Sequence, residues 1–545
     1  MSSSDNTLSH PSDPIVTFHR LPARIPSVPS ASIYTTKPPA HHVGGSDPPA
    51  SFKNPWPSFA QDGVKGLFPA MHAKFFSKDR NFVPVPSSRE ELVEVVAPDW
   101  GWGGEGGGGS GEGQRSFEAG EEAEKGGGSA QQHANAGRLK ATWIGHSSWL
   151  VETGVKRDAP VATPSITLTD DADEPTTTTL SPVEAEHPRV SSSSRTKLVD
   201  GSSPDEDERG GGDDDDDDDD GDEHQGEKEK TFANRGVRIL LDPVFSTRVS
   251  PVRFAGPKRF NPPPCALADL PDPIDVVAIS HDHYDHLDTA TVKFLVGRER
   301  ARQRGGGGGG GGQTPGRGIL FLIGLGGARH LLAMGVREEE VLELDWWEGV
   351  RVAVRGVRGA VKLVCTPTQH FSGRGVWDAG KALWCSWVVQ ELGVDEDERD
   401  DDDEGAPSAA NKRLFFAGDS GYRSVPEAAQ NDREAVERLS RCPAFAEVGA
   451  TYGPFDLALL PIGCYSPRWF MSPVHAAPAD AVAMHKDLRS RRSVAMHYGT
   501  LRGGISEQYE DVREPPRLWK EEAEREGLRW GDEAAVCKIG ETVLV

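Results

Sequence analysis

The chain has 545 residues, with 85 acidic against 60 basic side chains and a formal net charge of −25. Most of that charge is local. Residues 154–235 carry a net −15 and residues 393–404 a net −8, so the remainder is close to neutral and offers no basic face for nucleic acid. No run of about 18 apolar residues occurs, which predicts no membrane-spanning helix. Six cysteines without a CxxC pair fit reduced thiols in an intracellular protein rather than a disulfide framework.

In chain order, residues 1–51 are rich in Ser and Pro, with few acids and with Arg20, Arg24 and Lys37. They read as a disordered N-terminal tail, an organelle presequence being the lesser alternative. Residues 52–545 read as one domain interrupted by disordered insertions at 99–137, 154–235, 301–317 and 393–412, which are too polar or Gly-rich to offset chain entropy. Folded material begins near Asn54-Pro55-Trp56-Pro57, followed by a helical candidate and by 89–96. Residues 139–152 read as two strands around a Gly145-His146 turn. The apolar run from Val237, ended by Asp242-Pro243, then reads as the return strand of a hairpin whose connection has grown to about eighty residues, a modest cost in loop-closure entropy.

Further strands are predicted at 274–279, 319–323, 342–347, 361–365, 382–390, 414–417 and 493–496, with helices at 287–302 and 476–488. Gly324-Leu325-Gly326-Gly327 reads as a tight strand-to-helix turn. Many short strands with interleaved helices predict a layered α/β domain.

The densest chemistry follows the 274–279 strand: His281-Asp282-His283-Tyr284-Asp285-His286-Leu287-Asp288. Imidazole and carboxylate suit borderline cations such as zinc, and a strand end is where α/β proteins place reactive groups. Three other strands run into a candidate ligand, at His370, Asp419 and His497. One histidine after a strand is ordinary; the recurrence points to a metal-dependent hydrolase.

This set resembles the metallo-β-lactamase superfamily, whose fold is a four-layer αβ/βα sandwich. The resemblance implies two Zn2+ ions: His281, His283 and His370 on one, Asp285, His286 and His497 on the other, with Asp419 bridging. Within the superfamily, Asn54-Pro55-Trp56-Pro57, Thr142-Trp143-Ile144-Gly145-His146, Asp242-Pro243-Val244-Phe245-Ser246, Gly256-Pro257-Lys258-Arg259-Phe260 and Leu344-Asp345-Trp346-Trp347-Glu348 are similar to the N-acylphosphatidylethanolamine-hydrolysing phospholipases D. So are Phe416-Ala417-Gly418-Asp419, Pro461-Ile462-Gly463 and Pro467-Arg468-Trp469-Phe470-Met471.

That family hydrolyses N-acylphosphatidylethanolamine to an N-acylethanolamine and phosphatidic acid, through a hydroxide activated by the two metals. The resemblance implies that Asp285 orients the nucleophile. It also implies that His475 assists the leaving group or holds phosphate, and that His475 and Tyr284 contact substrate. Val474 stands where the family pattern has Gln, a departure beside His475. The expected partner is a phospholipid at a membrane surface, met through Trp56, Phe59, Phe68, Phe75, Lys258 and Arg259. No nucleic acid is expected, and a homodimer is compatible. The expected location is cytoplasmic or peripheral on a membrane, with a mitochondrial address left open. The alternative is another hydrolase of this fold, such as a lactonase or a small phosphodiesterase.

Overall fold

A computed structural model describes residues 16–60, 83–102, 137–155, 235–305, 318–393 and 411–545, apart from 253 and 376. Most of the four expected insertions, and the helical candidate after Pro57, lie outside these residues.

The strands form two large sheets. In the seven-stranded sheet the spatial order is Val341–Leu344, Leu320–Gly324, Val276–Ala278, Arg238–Leu241, Ser148–Glu152, Lys140–Gly145 and Thr542–Leu544. The first four of these are mutually parallel. Their side chains alternate as a pleated strand requires. Ile239, Leu241, Val276, Ala278, Leu320 and Leu322 enter one apolar cluster, while Leu240, Val277, Ile279, Phe321 and Ile323 enter another. The second cluster is closed by Val292 and Leu295 of the helix Thr289–Gly305 and by Leu331 of the helix Ala328–Ala333.

The eight-stranded sheet runs Val16–Leu21, Gly349–Val354, Ala360–Thr366, Ser386–Leu392, Arg413–Phe416, Leu457–Pro461, Ser493–Met496 and Ala534–Ala535. Its Val350, Leu363, Val389 and Leu459 join the cluster that holds Val276 and Ile239, so the sheets share one core. Helices Ala444–Thr451 and Pro478–Asp487 add Phe445, Val448, Ala481 and Val482 to it. The result is the four-layer αβ/βα sandwich expected from the sequence.

Two expectations need correction. The N-terminal 1–51 is not a tail throughout: Val16–Leu21 pairs antiparallel with Gly349–Val354, and Tyr34 meets Trp346 and Trp347 edge-on. The Ser/Pro-rich composition of the whole stretch hides a short extended segment whose hydrogen-bond partner is a distant sheet edge. The first residues of the insertion expected at 301–317 are helical, as part of Thr289–Gly305, and 306–317 lie outside the described residues. The last turns of this helix are tied down by Arg300 to Glu340 (2.7 Å) and Arg302 to Glu299 (2.7 Å). The strands Gly349–Val354 and Leu457–Pro461 were not anticipated.

The inflated hairpin is present: Ser148–Glu152 pairs antiparallel with Arg238–Leu241 across the long insertion. All six cysteines are free thiols. Among the described residues no helix is long and apolar enough to cross a membrane.

Candidate metal centre

Both sheets deliver ligands from the C-terminal ends of their strands, the usual location of chemistry in α/β folds. Val276–Ala278 leads into Ser280 to Asp288, Ala360–Thr366 into His370, Arg413–Phe416 into Asp419, and Ser493–Met496 directly into His497. Gly418 allows the close approach of the sheets here. Its φ is +59°, and a Cβ would stand 2.6 Å from the Ser280 Cβ.

One buried carboxylate organises the centre. Asp242 ends the strand Arg238–Leu241 with φ +40°. Its Oδ1 accepts the Ser280 N–H at 2.7 Å, and its Oδ2 accepts the Ser280 hydroxyl at 2.5 Å and His286 Nδ1–H at 2.7 Å. Since Ser280 spends its proton on Asp242, its oxygen must accept from His281 Nδ1–H, 2.9 Å away. His281 therefore presents a proton-free Nε2 to the site, while at His286 burial is outweighed by Asp419 and Asp285, which raise its imidazole well above the usual value and make Nε2 the atom where a proton or a metal ion would sit. Burial pushes the Asp242 carboxyl up, opposed by its bonds to His286 and Ser280.

His370 is set the same way: its Nδ1–H donates to the Val474 carbonyl at 2.9 Å, leaving Nε2 bare. Position 474 thus serves through its backbone, and the Val474 side chain is buried. His281 Nε2 and His370 Nε2 converge on His283 Nδ1, at 2.9 and 3.3 Å. The second group gathers around Asp419. Its Oδ2 lies 3.2 Å from His286 Nε2 and 3.9 Å from His370 Nε2, and its Oδ1 lies 2.9 Å from His497 Nε2.

His286 Nε2, Asp419 Oδ1 and both ring nitrogens of His497 are nonetheless buried without an aligned hydrogen bond. Buried lone pairs facing one another at these distances call for a cation. One donor atom from each of His281, His283 and His370 lies within 4.8 Å of the others, as do those of Asp285, His286 and His497. Five imidazoles and two carboxylates suit zinc or a similar divalent ion. All seven sequence-predicted ligands are brought together.

Asp285 keeps 31% of its side chain exposed, so it is the carboxylate of the set that meets solvent. Burial would raise its carboxyl, but His286 and a hydrogen bond from His146 hold it well below the usual range. His475 joins the site with Nδ1 3.8 Å from Asp419 Oδ2 and its ring stacked at 5.4 Å on His497. Burial pushes its imidazole down to about 4, so it is neutral near pH 7. Tyr284 is half-buried, with the Arg374 guanidinium 3.8 Å over its ring. Arg374 also donates to the carbonyls of Asp282 and Leu287, bracing the ligand loop.

Sequence reasoning gave no role to three residues here. Asp242 passed as a strand-ending Asp-Pro. Asp282 accepts from His330 at 3.1 Å and from Gly373 N at 2.7 Å, fixing the loop from outside. His146 passed as a turn residue. It is buried at φ +53°, with Nε2 3.2 Å from Asp285 Oδ2 and its ring 4.1 Å from His497. The one signal for it was a histidine at a hairpin turn that ordinarily favours Gly or Asn.

Among the candidate membrane contacts, Trp56 and Arg259 are unavailable. Trp56 stacks on Trp346 at 5.4 Å and Arg259 donates inward to the Val244 carbonyl at 2.7 Å. Phe59 is half-buried, Lys258 is exposed, and Phe68 and Phe75 lie outside the described residues.

Asp242→Asn tests the orienting carboxylate. It removes the charge that backs one ligand in each metal group, so metal affinity should fall roughly 10–100-fold for both ions together. Zinc titration against a competing chelator checks this. Weakening of neither ion would remove Asp242 from its orienting role.

Residues 237–498 match the family described as "Beta-lactamase superfamily domain". The chain is 33% identical over 282 residues to N-acyl-phosphatidylethanolamine-hydrolyzing phospholipase D 1 of Caenorhabditis elegans, covering 51% of this chain and 64% of that protein. It is 30% identical over 267 residues to the mitochondrial N-acyl-phosphatidylethanolamine-hydrolyzing phospholipase D of Saccharomyces cerevisiae, covering 49% and 44%. The matched stretches thus span less than two thirds of either relative. The solved structure of Igni18, a metallo hydrolase from Ignicoccus hospitalis, is similar at 16% identity and a TM-score of 0.34, covering 75% of this chain and 98% of that one, too weakly to carry weight. With strand-end ligands, sandwich and family match in agreement, residues 237–498 carry a β-lactamase superfamily domain.

Proposed function

We propose that this protein is a phospholipase D-type phosphodiesterase that uses two zinc ions to cleave N-acylphosphatidylethanolamine to N-acylethanolamine and phosphatidic acid. The observation that carries the reading is Asp419, a single carboxylate within 4 Å of His370 from one group and of His286 and His497 from the other. A shared carboxylate between two imidazole groups is the arrangement of a two-metal phosphoester site. The similarity to the nematode and yeast phospholipases supports the lipid substrate.

Bound metals would supply Lewis acidity, making water a nucleophile near neutral pH and drawing off phosphoryl charge. The side chains supply the rest. Asp285, ionised and partly exposed, accepts a hydrogen bond from the attacking water and orients it. His475, neutral at pH 7, stands beside Asp419 to hold phosphate or manage the proton of the leaving alkoxide. The Tyr284–Arg374 pair lines the rim. Ser280 and Asp242 hold the Nδ1 protons of His281 and His286, so that Nε2 faces the site.

The test is turnover of N-acylphosphatidylethanolamine in mixed micelles, by purified zinc-loaded protein in 18O-water with mass spectrometry of both products. Cleavage of the phosphorus–oxygen bond on the head-group side puts the label in phosphatidic acid and none in the N-acylethanolamine. No release, with lactones or small phosphodiesters hydrolysed instead, would establish the alternative hydrolase reading.

His475→Ala is expected to lower kcat about 10²-fold with little change in metal content. An unchanged kcat would leave His475 a packing residue. Phe254 and Trp377 are 84% and 88% exposed, so they replace Trp56 and Arg259 as the proposed membrane contacts. Phe254→Asp with Trp377→Asp should weaken sedimentation with phospholipid vesicles roughly tenfold. Equal sedimentation would place membrane contact elsewhere.

A further inference from the structure

Asp345 belongs to Leu344-Asp345-Trp346-Trp347-Glu348, a stretch for which the hydrolase centre has no use. It follows the strand Val341–Leu344, where the unexpectedly folded N-terminal segment crosses it. His41 Nε2 lies 2.8 Å from Asp345 Oδ1 and His42 Nε2 lies 2.8 Å from Asp345 Oδ2. One donor atom from each of the three residues lies within 4.8 Å of the others. We propose that His41, His42 and Asp345 form a further divalent-metal site of zinc type, which shares no residue with the hydrolase centre and fastens the N-terminal segment to the sheet.

The geometry is unusual for consecutive residues, which on an extended strand point to opposite faces. Here His42 N bonds back to the Pro39 carbonyl and the strand starts only at His42, so both imidazoles swing to the same carboxylate. A hydrogen-bonded bracket would need only one of them. Two imidazoles and a carboxylate are a familiar zinc donor set, with water left to complete a tetrahedron.

The surroundings suit that role. The His41 ring is buried and stacked on Trp346 at 4.3 Å and 24°. The side chains of His42 and Asp345 remain 12% and 18% exposed, leaving one open side for an ion and its water. Asp345 is held from behind by its own N–H on Glu348, at 2.7 Å. Burial lowers the His41 pKa, and the two imidazoles hold the Asp345 carboxyl well below its usual range despite its own burial. Neutral imidazole and ionised carboxylate are the forms a cation needs.

The site also has a built-in weakness. His41 Nδ1 is buried with no partner, so a metal on Nε2 would leave a proton on Nδ1 without an acceptor. The ion should therefore be exchangeable and be lost to a chelator before those of the hydrolase centre.

The experiment uses the full chain and zinc alone, with excess magnesium present to occupy the Asp213–Asp220 run. After equilibration with zinc, elemental analysis should give about one zinc less per chain for the double variant His41→Ala, His42→Ala than for wild type. The comparison is a difference, independent of what the hydrolase centre cleaves, so it stands or falls apart from the phospholipase reading. A second measurement needs no variant. Zinc added to wild type whose hydrolase centre is already loaded should slow trypsin cleavage at Lys53, eleven residues after His42, at least tenfold. Equal zinc content in wild type and variant, or cleavage unaffected by zinc, would overturn the site and leave a hydrogen-bonded bracket.

Discussion

Asp419→Asn should lower phosphodiester hydrolysis by roughly 10³-fold or more while leaving the fold intact. The carboxylate faces four imidazoles, those of His286, His370, His475 and His497, at 3.2, 3.9, 3.8 and 2.9 Å. It is buried, yet the histidines hold its carboxyl well below the usual range against the effect of burial, His286 foremost. An amide of the same shape keeps one neutral oxygen and loses the charge that would let a single group serve two ions. Elemental analysis should find metal lost from both groups, with circular dichroism close to wild type and melting close to that of metal-free wild type. Activity within tenfold of wild type, with both metals bound, would show that Asp419 does not bridge.

Glu152→Ala is expected to cost about 3–5 kcal/mol of stability, read as a shift in the urea midpoint. Glu152 is buried and accepts from Lys140 Nζ at 2.9 Å, Arg238 Nε at 2.8 Å and Trp102 Nε1 at 3.3 Å. Beside it Arg235 grips Asp275 with a bidentate pair at 2.5 and 2.9 Å. This network closes the neck from which residues 156–234 depart, so the sheet continues across the insertion. Truncating Glu152 leaves Lys140 and Arg238 buried without their shared counter-charge, and that uncompensated charge dominates the cost.

The same group sets an acid limit. Burial alone would raise the Glu152 carboxyl, but Lys140 and Arg238 hold it below its ordinary 4.5. A depressed carboxylate contributes stability that is full above the unfolded-state value and is lost as pH falls through the folded one. Wild type should therefore lose more stability than Glu152→Gln as pH drops below about 4.5. Parallel acid profiles for the two proteins would show that the network is not what titrates.

Much of the architecture is legible residue by residue. The alternation of Ile239, Leu240 and Leu241, and of Val276, Val277 and Ala278, specifies strands buried on both faces, because side chains on a pleated strand alternate and both clusters here are apolar. The ligand loop after such a strand, and the strand-end His370, Asp419 and His497, follow from local pattern together with family resemblance. So does the hairpin, since loop length adds so little to closure entropy that an insertion of this size leaves the pairing intact.

What only the tertiary structure decided is direction and partnership. Nothing local in Asp242-Pro243 says that this carboxylate will set the protons of His281 and His286, since its partners lie about forty residues away. The Gly145-His146 turn accounts for the φ of +53° at His146, but that its ring then meets Asp285 and His497 depends on residues far along the chain. Trp56 looked like a membrane anchor and is packed on Trp346, because apolar character alone does not say which surface will cover a side chain. The N-terminal segment folds for the same reason. Val16–Leu21 finds its hydrogen bonds on a strand more than three hundred residues away, and His41 and His42 find theirs on Asp345. Local sequence carries propensity and periodicity; which distant groups satisfy a buried donor or charge is settled only when the chain closes on itself.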